Sequence, residues 1–179
     1  MTRLFHFSDD GSIDVFVPRA VRVPAKRAEG MDWLNGPLVW AIDERHQPMY
    51  LFPRDCPRVV LWPTEETCQK DLGDYFGTSC ARMVAYIEED WLRRLQTQVL
   101  FRYELPQGPF QCLDDAGMWV SSETVRPLGK VVVDSLPEAL DQSGVELRTI
   151  DSLTALRGVW ETSLHASGIR LRHAKGWHG

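Results

Sequence analysis

His6 is the first residue in this chain with chemistry to offer. It lies inside Leu4–Phe7 with apolar neighbours on both sides, and alternation puts it on the same face as Leu4. A neutral imidazole on the inner face of a sheet donates one hydrogen bond and accepts another, which suits the hydroxyls of a ligand. Its competing role is that of a core histidine satisfied by a backbone carbonyl. Trp40 is the second candidate. An indole stacks on a flat heterocycle, and it also supplies core volume, this one being one of seven tryptophans. Arg54 and Arg58 enclose Asp55-Cys56-Pro57. Two guanidiniums on a proline-stiffened loop grip phosphate or carboxylate in bidentate fashion; the alternative is a surface Arg–Asp pair of little worth. Glu104 and Glu123 each stand at the end of a strand-like segment. A carboxylate there polarises a ribose hydroxyl or activates a nucleophile, or it simply sits in water. Glu88, Glu89 and Asp90 open a helix and are explained by its dipole.

No G-x-G-x-x-G, P-loop, G-x-S-x-G or H-E-x-x-H pattern occurs. Cys56, Cys68 and Cys80 recur every twelve residues, which matches no zinc spacing, and Cys112 stands apart. No metal site is expected.

The elements that must hold these side chains follow from periodicity and turn chemistry. Leu4–Phe7 is a strand. Asp9-Asp10-Gly11-Ser12 is a turn, and Ile13–Val17 is an extended run stopped by Pro18. Pro37–Ile42 is a second strand, apolar throughout and therefore buried on both faces. Asp43 caps a short helical segment from Glu44 to Tyr50, limited by Pro48. Arg58–Trp62 is a third strand. Thr64 caps a helix that Gly73 weakens or ends. Cys80–Ile87 alternates as a strand and runs into a helix over Glu88–Gln96. Strands follow at Gln98–Leu105, Phe110–Leu113, Met118–Val120 and Lys130–Val133. Leu136–Gln142 is a helix and Val145–Ile150 a strand. Ser152–Leu164 is the strongest amphipathic pattern, with Leu153, Leu156, Val159, Trp160 and Leu164 as its stripe. Ile169–Arg172 closes the fold as a strand, and the tail 174–179 is expected to fray.

Many strands with few, scattered helices indicate an α+β fold: a single domain over 1–179 with a split mixed or antiparallel sheet and a few flanking helices. The length of 179 residues fits one domain. A hydrophobic content of 44% argues against disorder. The net charge of −5 gives no general pull toward nucleic acid or an anionic membrane, although arginines cluster at Arg54–Arg58 and Arg170–Arg172. No apolar run approaches the roughly 20 residues of a spanning helix. The N-terminus lacks a signal-peptide apolar region, so a cytoplasmic location with reduced cysteines is expected.

The order of three segments adds a resemblance. LFHFS in the first strand, VWAID running toward Tyr50, and the later GMWVSSETVRP resemble the ADP-ribosyltransferase-like superfamily. The last segment is nearest to the GVWLT-type motif of RNA 2′-phosphotransferases in the same superfamily. The chain is also similar, through LFHFS, VWAID…YLFPRDCPR and GMWVS, to a group of small uncharacterised bacterial proteins. The superfamily resemblance implies an NAD site in the cleft of a split sheet. His6 and Glu123 would be its catalytic residues. His6, Ser8, Arg19, Trp40, Tyr50, Arg54, Trp119 and Ser121 would contact the cofactor, with Arg19 or Arg54 taking phosphate. The segment lacks a Glu at the family's motif position, Glu123 being only nearby. Two functions follow as alternatives: transfer of an ADP-ribosyl or related group, or a non-catalytic domain that binds a small molecule or protein on the same scaffold. Both require that the His6 imidazole and the Trp40 indole line one hollow.

Overall fold

The computed structural model describes residues 2–178. Its strands are β1 (Leu4–Ser8), β2 (Val39–Asp43), β3 (Arg58–Trp62), β4 (Met83–Glu88), β5 (Leu100–Leu105), β6 (Gln111–Cys112), β7 (Met118–Ser121), β8 (Gly129–Val133), β9 (Val145–Ile150) and β10 (His165–Ile169). The α-helices are α1 (Gln69–Phe76), α2 (Leu92–Thr97) and α3 (Leu136–Gln142). The fold is α+β, with antiparallel and mixed sheets. Within it the chain forms two compact units. One runs up to Gln47 and takes in Leu100–Val132; the other is Pro48–Val99 and the chain from Val133 onward.

The first unit holds a six-stranded sheet in the order β6-β7-β2-β1-β5-β8. Alternation decides what each face carries. Leu4, Val39, Ala41, Tyr103 and Leu105 form one buried cluster with Phe16, Phe110 and Val125. Leu38 and Val120 form another with Leu34, against which Trp40 packs. Tyr103 keeps its hydroxyl satisfied in this core: it donates to the Asp10 carbonyl at 2.7 Å and accepts from the Ile13 amide at 3.2 Å. That pair of bonds pins the turn after β1. The extended run Ile13–Val17 makes a single bridge, Phe16 to Val125, and no strand, because Pro18 ends the pairing.

The second unit holds a four-stranded sheet in the order β10-β3-β4-β9, with β4 and β9 parallel. All five residues of β3 are buried, the apolar run Val59–Trp62 as a strand covered on both faces requires and Arg58 along with it. Its core gathers Val59, Leu61, Val84, Leu153, Leu156 and Val159. Several sequence expectations are corrected in this unit. The pattern at Ser152–Leu164 forms a 3-10 helix over Leu153–Glu161. Leu153, Leu156 and Val159 stand three apart, which a 3-10 helix places on one face; Trp160, which only a 3.6-residue period would bury, is 43% exposed. The helix expected from Thr64 starts at Gln69 with Cys68 as its cap position. It passes through Gly73 and ends at Gly77, whose φ is +59°. The closing strand is His165–Ile169, not Ile169–Arg172, which is a left-handed residue followed by a 3-10 turn.

The tail does not fray within the described residues; Gly179 lies outside them. Lys175 donates its amide to Glu88 at 2.9 Å, and Arg157 donates to the carbonyls of Gly176 and Trp177. The Trp177 ring meets that of Trp160 edge-on at 6.0 Å.

Candidate functional site

The site begins at the point where two neighbouring strands stop pairing. β1 bonds to β2 at Leu4–Asp43 and Phe5–Ile42, and the ladder ends there. β1 continues along β5 as far as Ser8, and β2 continues along β7 as far as Val39. The edge of β2 that β1 leaves is taken by other groups. At Trp40 the His6 ring bonds the backbone carbonyl, with Nδ1 2.8 Å from the oxygen. At Leu38 it is Arg19, whose amide and carbonyl each bond Leu38 at 3.2 Å. A carbonyl only accepts, so Nδ1 carries the proton; in the neutral ring Nε2 is then the accepting nitrogen. The Phe16 ring lies against the imidazole, centroids 4.7 Å apart and tilted by 55°. His6 thus has the backbone carbonyl partner of a core histidine, yet its ring stays only half-buried.

The expectation that His6 and Trp40 line one hollow is corrected by the register. Side chains opposite one another in an antiparallel ladder share a face, and neighbours along a strand alternate. His6 is opposite Tyr103, and Trp119 is opposite Ala41, all on the face of the Leu4 cluster. Trp40 is opposite Val120 and packs with Leu34 and Leu38 on the other face. What approaches His6 is the Trp40 carbonyl, not its indole. The indole lies under the Arg27 guanidinium, 5.6 Å from its centroid. Its Nε1–H is buried with no acceptor among the described residues, at a cost of about 1–3 kcal/mol. That is the geometry of a packing residue.

The other expected site residues divide as follows. Ser8 shares the face of His6 by strand parity, as does Ser121 with Trp119. Ser121 is 3% exposed and accepts the Glu123 amide at 3.0 Å on Oγ. Glu123 itself is exposed on the loop after β7, so the carboxylate expected to be catalytic stands in water. Arg19 is exposed beside Leu38. Tyr50 and Arg54 belong to the second unit. Glu104 is spent on Arg3, which it holds through two oxygens at 3.0 and 2.9 Å.

One dyad escaped the sequence reading. Asp43 ends β2 on the same face as Leu4 and His6, and its Oδ1 accepts both the His46 amide at 2.7 Å and His46 Nδ1 at 2.8 Å. The imidazole is thereby held in one tautomer, the carboxylate–histidine arrangement used to orient a base or a ligand donor. Gly117, with φ +73°, presses its backbone against this pair, and its carbonyl accepts the Asp43 amide at 2.9 Å. Beside it an open groove of about 420 Å³ is lined by Thr2, Arg3, Asp43, Glu44 and Arg45. The signal available in sequence was the D-x-x-H spacing after a strand, which was read only as a helix cap. Burial alone would push the Asp43 carboxyl up, but the hydrogen bonds and charge of His46 hold it below the ordinary value of 3.8. A carboxyl lowered in the folded state stabilises above its unfolded value and loses that contribution as pH falls through the folded one. Wild type should therefore be more stable than Asp43→Asn at pH 6, and the gap should close on acidification below 3.8. Urea midpoints of both proteins between pH 6 and pH 2 measure it; a gap that persists or widens in acid would contradict the assignment.

Among the described residues no group of histidines, cysteines and carboxylates is arranged to hold a metal ion, and no helix is long and apolar enough to cross a membrane. Cys56, Cys68, Cys80 and Cys112 are free thiols. A family described as a family of unknown function (DUF6886) covers residues 5–174, and the chain belongs to that family. No curated protein and no solved structure matches it.

Proposed function

We propose that this member of the DUF6886 family is a non-catalytic small-molecule-binding domain, whose ligand meets the first unit where β1 and β2 part, on the face of His6, Trp119 and Ser121. With the Trp40 indole on the opposite face, Trp119 replaces it as the aromatic surface beside His6, and NAD or another compound with an ADP-ribosyl group is the ligand class from which the reading starts. The ADP-ribosyltransferase-like architecture implied by the sequence motifs belongs to the same reading. The observation that carries it is the early end of the β1–β2 ladder, with an imidazole of assigned tautomer fixed at the opening. A sheet interrupted between its central strands leaves room for side chains there, and the half-buried His6 imidazole presents polar atoms and Trp119 an aromatic face to a ligand on that side.

Binding without transfer is favoured by the carboxylates. Departure of nicotinamide builds positive charge on the ribose, and a transferase must hold a negative group beside it. Glu123 is solvent-exposed, and Asp43, the carboxylate on the face of His6, is engaged by His46. The transferase alternative rests on Asp43 alone.

Calorimetry and thermal shift with NAD and with ADP-ribose test the proposal, together with an assay for nicotinamide release. Saturating ligand is expected to raise the wild-type Tm by about 5 °C, with no nicotinamide released. Trp119→Ala is expected to weaken binding at least about tenfold, the worth of one lost stacking contact. Trp40→Phe, on the opposite face, should bind as wild type does. No response of the wild type to either ligand would end the binding reading, and released nicotinamide would end the non-catalytic one.

A further inference from the structure

The six-stranded sheet ends in β8, an edge strand of sequence Gly-Lys-Val-Val-Val. Gly129, Lys130, Val131 and Val132 are exposed, Val131 at 52% and Val132 at 54%. A run of β-branched residues has high strand propensity, and an edge built from it pairs with another strand unless something blocks it. The usual guards are missing. The strand holds no proline, and its one charged side chain is drawn back onto its own sheet. Lys130 donates to the Gly11 carbonyl and lies 5.6 Å from the Phe101 centroid.

Backbone direction decides which residues of β8 can take a partner strand. The Leu128 amide bonds the Glu104 carbonyl of β5 at 2.8 Å. Successive residues of a strand turn their N–H and C=O groups to alternate sides. Lys130 and Val132 therefore also turn toward β5, and Val131 and Val133 turn outward. Among the described residues no backbone bond from outside the sheet reaches Val131 or Val133. An antiparallel partner must set outward-turned residues opposite one another, so two copies of β8 can meet only in registers centred on a residue. Centring on Lys130 opposes two like charges, which is destabilising. Centring on Val131 sets Lys130 opposite Val132. Centring on Val132 sets Lys130 of each copy opposite Asp134 of the other, and Asp134 is exposed. In that register Val131 of one copy and Val133 of the other exchange backbone bonds.

We propose that β8 is a self-association edge, along which two copies of this chain join antiparallel about Val132. A second copy is the occupant because Lys-Val-Val-Val-Asp is charge-complementary to its own reverse, and a twofold contact makes each pairing twice. One face of the joined strands carries the Lys130–Asp134 pairs on either side of Val132. The other carries Val131 and Val133 of both copies. The proposal is independent of ligand binding beside His6.

Sedimentation velocity of the full chain over a concentration series tests it. Wild type is expected to pass from monomer to dimer as concentration rises. Lys130→Asp should weaken the dimer about tenfold or more, because both charge pairs become repulsive. Combining it with Asp134→Lys should restore the dimer, since opposite charges face one another again. Far-ultraviolet circular dichroism establishes that the variants fold. Should Lys130→Asp not fold, Val132→Lys replaces it; that substitution sets like charges together on the twofold axis and is expected to leave a monomer. A wild type that stays monomeric throughout, an assembly that grows beyond the dimer, a dimer indifferent to these substitutions, or a double variant no tighter than Lys130→Asp alone would each overturn the proposal.

Discussion

Glu88→Ala is expected to cost the protein about 3 kcal/mol, while Glu88→Gln costs less than about 1 kcal/mol. Glu88 ends β4 and is 1% exposed. One of its oxygens, Oε1, accepts two backbone amides that have no other partner among the described residues: Leu153 at 3.2 Å and Lys175 at 2.9 Å. Leu153 begins the 3-10 helix that closes the core of the second unit, and Lys175 lies in the docked tail. Alanine leaves both amides unsatisfied, each worth about 1–3 kcal/mol when buried, whereas glutamine still presents an oxygen. The tail should then come loose first, visible as faster amide exchange at 174–178. Equal losses for alanine and glutamine, measured by urea unfolding, would mean that something other than these two bonds sets the stability here.

The second large effect is expected at Gly117. A methyl group there would sit 2.3 Å from His46 Nδ1 and 2.6 Å from the Asp43 carboxylate, on a backbone at φ +73°. Left-handed backbone alone costs an alanine about 1 kcal/mol, and displacing the Asp43–His46 pair adds the loss of its hydrogen bonds, for a total of about 3 kcal/mol. The pH dependence that Asp43 contributes should flatten in the same variant, since the bonds that lower its carboxyl come from His46. A Gly117→Ala protein within 0.5 kcal/mol of wild type, the usual spread of neutral surface changes, would show that the dyad gives way without cost.

Much of the local structure was readable in advance. Arg58–Trp62, Leu136–Gln142 and Val145–Ile150 were expected with the boundaries they have. So was the strand-to-helix change near Glu88. In each case the cue lies within a few residues: alternation, a β-branched run, or a proline or cap at the start of a helix. The Ser152–Leu164 segment shows where such cues end. Its stripe fits an α-helix, but the residues that the core accepts are spaced by three, and Trp160 is left outside. The docked tail was equally hidden, because the carboxylate that holds it is 87 positions away.

The candidate site divides along the same line. Alternation within β1 is local, and from it His6 was correctly placed beside Leu4. Which face of β2 meets that side depends on register, and one residue of slip exchanges every side chain between faces. Register is set by pairing with β7 and β5, far away in the chain, so only the assembled sheet could place Trp119 with His6 and send Trp40 to the opposite face. The two arginine clusters were visible as composition, but their meeting required β10 to lie along β3. Short-range patterning specifies what each segment is; long-range pairing specifies which side chains share a space, and chemistry depends on the second.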